Sequence, residues 1–151
     1  MIGRRFVIMS AAVGMTIWII SMAQPVLAEP FAVSVPEANI RSGPGQSKDL
    51  LWKVEKYHPL DIVEKKGDWY RFRDFEGDEG WIHKSLVDKI PAVIVKQNNC
   101  NVRSGPDTKN ETLFKVEKGI PFKVLKREGK WLQVQHADGD TGWIHSSLVW
   151  P

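Results

Sequence analysis

The chain has a single cysteine, Cys100, in 151 residues. One thiol excludes an internal disulfide framework and a cysteine-based zinc site. Histidine is also sparse, with four, and none has a partner at metal-ligand spacing. No stretch carries helical periodicity over three turns. A charge surplus of one sign is missing too. The formal net charge is +3, and Arg4 and Arg5 supply two of those charges. Without them the count is 19 cations against 18 anions, so no basic stripe is expected and nucleic acid is not an expected partner. What is present, 42% hydrophobic and 26% charged residues, fits a folded chain rather than a disordered one.

Residues 1–28 have the pattern of a secretory signal peptide. Arg4 and Arg5 precede an apolar run from Phe6 to Ala23. Gln24 and Pro25 end that run, and Val26-Leu27-Ala28 offers the residues a signal peptidase reads. Cleavage there predicts export to the periplasm or the cell exterior, with no membrane span afterwards. The alternative is an uncleaved anchor, since 18 apolar residues reach the lower limit for a bilayer. No cysteine stands directly after the run, so a lipoprotein is not expected.

The remainder is a repeat. Asn39-Ile40-Arg41-Ser42-Gly43-Pro44 recurs 62 residues later as Asn101-Val102-Arg103-Ser104-Gly105-Pro106. Gly67-Asp68-Trp69 returns as Gly129-Lys130-Trp131, and Gly80-Trp81-Ile82-His83 as Gly142-Trp143-Ile144-His145. Residues 39–87 and 101–149 align without a gap, identical at 22 of 49 positions, which is duplication. The expected organisation is a signal peptide (1–28), a first module (29–88) and a second (89–151). A short Pro-containing linker near Asp88-Lys89-Ile90-Pro91 limits their relative orientations. Each module reads as all-β: short alternating runs bounded by Gly, Pro, Asn and Asp at intervals of about ten residues. Asp138-Gly139 and Glu76-Gly77 mark equivalent hairpin turns. A module of this size buries a modest core.

Six of the seven tryptophans lie beyond the leader. Strand alternation sorts them. In Trp131-Leu132-Gln133-Val134-Gln135, Leu132 and Val134 share the apolar face and Trp131 goes with two glutamines. In Trp69-Tyr70-Arg71-Phe72-Arg73, Trp69 goes with two arginines. Ile82 and Ile144 are the buried members of their strands, leaving Trp81 with His83 and Trp143 with His145 on the other face. Large aromatics on polar faces, repeated in both modules, are candidate ligand contacts. They equally suit covering a barrel end or the boundary between modules. Arg41 and Arg103 join the candidate site because a guanidinium can clamp a carboxylate or stack on an aromatic; bonding within their own turns is the alternative.

The N-[VI]-R-S-G-P run, the G-x-W before a strand and the G-W-I run followed by S-L-V, each present twice, resemble the bacterial SH3-like (SH3b) family. The resemblance covers nearly the whole chain after the leader. It implies two tandem small SH3-like β-barrels of five to seven strands each, serving as binding or targeting parts of envelope proteins. Several such modules accompany cell-wall hydrolases and bind peptidoglycan or its peptides. A looser resemblance is to eukaryotic SH3 domains. It aligns Trp69 and Trp131 with a peptide-groove tryptophan, and His83 and His145 with a proline of the final motif. The acidic, Tyr-rich first loop of those domains is missing, which speaks against proline-rich ligands.

Catalysis is not expected. Cys100 occupies the slot of Ala38, which points to packing, and no base or orienting residue accompanies it. Pairing between chains is the other option for a free thiol. Ser42 and Ser104 are turn residues. His58 and His136, without His counterparts, are expected on the surface. No cofactor and no metal are expected. The expected function is non-enzymatic binding of a cell-wall peptide or an envelope protein segment through Trp69, Trp81, His83, Arg41 and their repeats Trp131, Trp143, His145, Arg103. The alternative is a scaffold or accessory subunit of another envelope protein or cell-wall hydrolase.

Overall fold

The computed structural model describes residues 30–151, so the expected leader at 1–28 lies outside the described residues. The first module contains β1 (Phe31–Val33), β2 (Glu37–Arg41), β3 (Leu50–Glu55), β4 (Pro59–Lys66), β5 (Trp69–Arg73), β6 (Glu79–His83) and β7 (Val87–Lys89). The second contains β8 (Ala92–Val95), β9 (Cys100–Arg103), β10 (Thr112–Val116), β11 (Pro121–Glu128), β12 (Trp131–Gln135), β13 (Thr141–His145) and β14 (Val149–Trp150). A 3-10 turn precedes each last strand, at Lys84–Leu86 and Ser146–Leu148. Among the described residues no helix is long and apolar enough to cross a membrane.

The sheets run β3-β2-β6-β5-β4-β1-β7 and β10-β9-β13-β12-β11-β8-β14, the same order twice. Every pairing is antiparallel. The first sheet ends at Lys89 and the second begins at Ala92. The fold is therefore all-β, two tandem SH3-like units.

Local chemistry explains the turns. Lys66 pairs with Trp69, and Glu128 with Trp131, leaving two-residue connections. Gly67 (φ 58°) and Gly129 (φ 57°) open them in the left-handed region, where a residue without Cβ carries no steric penalty. At the next hairpin Asp74 Oδ1 accepts from the backbone N–H groups of Glu76 and Asp78, both at 2.9 Å. That carboxylate substitutes for the missing ladder partners of the turn.

Alternation sets the core. Phe72, Ile82, Leu132, Val134 and Ile144 are fully buried, each on the face expected from the sequence. Ile40 and Val33 complete the first core, and Val102, Phe122 and Val95 the second. Four exposed apolar residues have a common cause. Leu51, Val63, Leu113 and Leu125 each fall where the register skips one residue. A bulge takes that residue out of the alternation and turns it to solvent.

The modules meet through β4 and β8 and at one turn. Lys118 Nζ lies 3.6 Å from a Glu76 carboxylate oxygen and 5.9 Å above the Phe75 ring. The linker is fastened to the second module by the Val124 N–H, which donates to the Pro91 carbonyl at 2.8 Å.

Candidate functional site

The tight turns deliver Trp69 and Trp131 to the first positions of β5 and β12. Register then sets Trp69 opposite His83 and Trp131 opposite His145. Both pairs meet edge to face, with ring centroids 5.2 Å apart and planes at 89°. The sequence-level grouping of these residues thus corresponds to direct contact.

Each imidazole is locked from behind. His83 Nδ1 accepts from the Ser85 backbone N–H at 3.2 Å and lies 2.7 Å from its Oγ; His145 repeats this with Ser147. A backbone N–H only donates, so Nδ1 carries the lone pair and the proton resides on Nε2. Each module therefore presents a half-buried indole beside a fixed Nε2–H donor.

Arg41 and Arg103 serve their turns. Arg41 Nη1 donates to the Lys48 carbonyl at 3.0 Å. Arg103 Nη1 donates to the Asn110 carbonyl at 3.0 Å and reaches Thr112 Oγ1 at 3.3 Å. Nε and Nη2 of each guanidinium remain for other partners.

Trp81 and Trp143 are not equivalent. Trp81 is half-buried, across from Arg71 and Arg41. Arg71 is held by Glu64 at 2.8 Å and Glu79 at 2.7 Å, and Arg73 reaches Glu79 at 3.1 Å. These contacts raise the Arg71 pKa and hold Glu79 below the usual carboxylate range, hydrogen bonds first. Trp143 lies across from Gln133 and Arg103 and is only 9% exposed. It is not the open aromatic expected from alternation, which assigns a face but not what covers it.

In the second module Trp131, His145 and Arg103 line one cleft of about 250 Å³, together with Asn101, Thr108 and Leu148. Two further clefts are themselves a repeated pair. One, of about 570 Å³, lies between β3 and the turn after β5, with His58, Asp74 and Phe75 in its wall and Gly119 of the second module at its rim. Its counterpart, about 310 Å³, is lined by Ile120, Phe122, His136 and Asp138. No aromatic on a polar strand face marks this second pair in the sequence.

His58 is a correction. It was expected on the surface but is 7% exposed, its ring 6.4 Å from that of Phe75. Burial pushes its pKa down to about 4, and Nε2 has no hydrogen-bond partner. The signal was available: Ile120 stands in the same slot of the repeat, and an apolar counterpart marks an inward position. His136 is half-buried, 3.1 Å from an Asp138 carboxylate oxygen. Cys100 is buried, its thiol donating to the Gln97 carbonyl at 3.2 Å. Burial raises its pKa, so it packs rather than reacts. Among the described residues no cluster of three or more His, Cys, Asp or Glu could hold a metal ion.

Two small open barrels in tandem, each with a tryptophan–histidine pair, have the architecture of the SH3-like class. The bacterial SH3 domain model matches residues 34–89 and 96–151, and the chain belongs to that family. It is 27% identical over 128 residues to YrvJ of Bacillus subtilis, a candidate N-acetylmuramoyl-L-alanine amidase, covering 78% of this chain and 24% of that protein. It is 37% identical over 71 residues to LytH of Staphylococcus epidermidis, a candidate cell wall amidase, covering 44% of this chain and 24% of that protein. The chain thus spans about a quarter of the length of these relatives. An NlpC/P60 family protein from Bacillus cereus is similar in structure at 15% identity and a TM-score of 0.38, covering 80% of this chain and 55% of that one.

Proposed function

We propose that the protein is an exported, non-enzymatic binding module that recognises a cell-wall ligand through its tryptophan–histidine grooves. The carrying observation is the duplicated Trp69–His83 and Trp131–His145 pair, identical in spacing and angle in two modules that differ at more than half of their aligned positions. An aromatic face beside a fixed N–H donor suits a ligand with both apolar and hydrogen-bonding parts. The amidase relatives support the cell wall as the location of that ligand. Two weak sites on one chain gain from each other through effective concentration. Sedimentation with purified insoluble peptidoglycan tests the reading. Wild type co-sediments, and a folded Trp69→Ala/Trp131→Ala variant stays in the supernatant. Wild type left in the supernatant refutes the cell-wall assignment.

The same relatives favour a second reading, in which the grooves dock on a wall hydrolase and the protein acts as its accessory subunit. Pulldown from envelope extract then recovers a stoichiometric amidase, and recovery of none counts against it.

A further inference from the structure

We propose that the cleft of the second module captures a free carboxylate, the chemistry of a peptide C-terminus. The inference deepens the cell-wall reading above and rests on it for the source of the ligand, but not for the chemistry.

Charge separates this cleft from the other two. Its lining includes Asn101, Arg103, Thr108, Trp131 and His145 but no Asp or Glu. Acidic side chains line both other clefts. The Arg103 contacts, the Asn110 carbonyl and Thr112 Oγ1, are neutral, and among the described residues no carboxylate pairs with it. A half-buried guanidinium without an anion, with Nε and Nη2 uncommitted, is a fork for a carboxylate.

Asn101 stands beside Arg103. Its Oδ1 is shut off from solvent and accepts no hydrogen bond, so that atom is closed to a ligand and the residue serves as a neutral neighbour of the guanidinium. Cys100 and Val102 point inward, so Asn101 and Arg103 share the outer face of β9. Two residues along a strand they stand about 7 Å apart. The carboxylate meets Arg103, and the Nε2–H of His145 faces a carbonyl oxygen. Trp131 covers the apolar side.

The first module repeats Asn39, Arg41, Trp69 and His83 but differs in the charge beside them. Glu37 stands where the second module has Asn99, on the same outer row of β2 as Asn39 and Arg41. It pairs with Lys53 at 2.9 Å. An acid in that row disfavours an anionic ligand.

The test is calorimetric titration of the full chain with N-acetyl-alanyl-alanine, as the L,L and D,D isomers, against the corresponding C-terminal amides. A free acid of either hand binds at least tenfold more tightly than its amide, and added salt weakens that preference. Arg103→Gln abolishes it. Because Arg103 also fastens its loop, Asn101→Asp provides an independent variant: it keeps every Arg103 contact and lowers acid binding at least tenfold by placing a negative charge beside the site. Arg71→Gln removes one cation outside the cleft and leaves the preference intact. Equal affinity for acid and amide, no binding of either, or an unchanged preference in both cleft variants overturns the proposal. Peptidoglycan sedimentation run in parallel separates the failures. Sedimentation without acid preference sinks only this inference, and acid preference without sedimentation sinks only the cell-wall reading.

Discussion

The first and second modules share strand order, both bulges and the geometry of the tryptophan–histidine pair, yet they diverge on their outer faces. The first carries the Arg71–Glu64–Glu79–Arg73 network, where the second has Gln133, Lys126, Thr141 and Gln135. The first buries a histidine where the second has an isoleucine. The first has an acid, Glu37, in the row where the second has Asn99. Repeated residues hold the barrel; unrepeated ones alter charge and access around a constant aromatic pair. Duplication thus separates what the fold requires from what each binding face has acquired.

The largest expected difference lies in a residue common to both. A Cβ at Gly142 collides with Val102 and comes within 3.1 Å of the Arg103 carbonyl oxygen. One at Gly80 collides with Ile40 and comes within 3.2 Å of Trp52, both side chains. Side chains yield more readily than backbone. Gly142→Ala therefore costs about 3 kcal/mol, the upper part of the range for overpacking, and Gly80→Ala about 1–2 kcal/mol. Urea unfolding of each variant checks this. Equal losses would show that the Arg103 backbone moves freely.

The next effect is tied to pH. His58 has its pKa lowered from 6.5 to about 4 by burial, so below pH 6.5 the unfolded chain binds the proton and the folded one resists it. The histidine therefore costs nothing extra above pH 6.5 and progressively more as pH falls towards 4. Changing it to the residue of the second module, His58→Ile, gains about 2–3 kcal/mol at pH 4.5 relative to pH 7.5. Paired denaturation curves at those two pH values measure the difference. The cleft also contains Glu37, Glu55, Asp74, Glu76, Asp78 and Lys53, which are common to both proteins. A gain of the same size at both pH values would mean that His58 is not held neutral by the fold.

The repeat made most of this structure legible. Alternation assigned Phe72, Leu132, Val134, Ile82 and Ile144 to the core because a pleated strand has only two faces. Asn-, Asp- and Gly-containing turns located the hairpins because few residues accept those backbone angles. The bulges at Leu51 and Leu113 left no such mark, since an exposed leucine in sequence looks like a buried one. Trp143 and His58 were misplaced for a related reason: each depends on which neighbouring element covers it, and strand periodicity carries no information about that. The tryptophan–histidine contact was grouped correctly by face, whereas the histidine tautomer depended on Ser85 and Ser147, which only the 3-10 turn brings into reach.

Binding provides a smaller contrast. If the acid-free cleft is the stronger site, Trp131→Ala weakens peptidoglycan retention about tenfold, roughly 1.4 kcal/mol, and Trp69→Ala weakens it less than threefold. Quantitative sedimentation of the two single variants is the measurement. Equal losses would make the modules equivalent sites and would remove any role for Glu37 in distinguishing them.

The smallest expected effect concerns the most conspicuous difference. Arg71→Gln installs the residue of the second module and breaks both of its ion pairs, leaving Arg73 as the partner of Glu79. The hydrogen bonds from Arg71 and Arg73 hold Glu79 below the usual carboxylate range, so their stabilisation is present above that range and is lost as acidification protonates Glu79. Exposed pairs contribute little, because water screens them and two long side chains must be ordered. The thermal midpoint of Arg71→Gln therefore lies slightly below that of wild type at neutral pH and low salt, and the two coincide in 1 M salt, where the screening length is about 3 Å. A large, salt-independent drop would instead show that Arg71 supports the barrel by packing its aliphatic stem against Trp81, its neighbour across the strands. The network would then be part of what the fold requires, and the second module would need another means of fixing its own tryptophan.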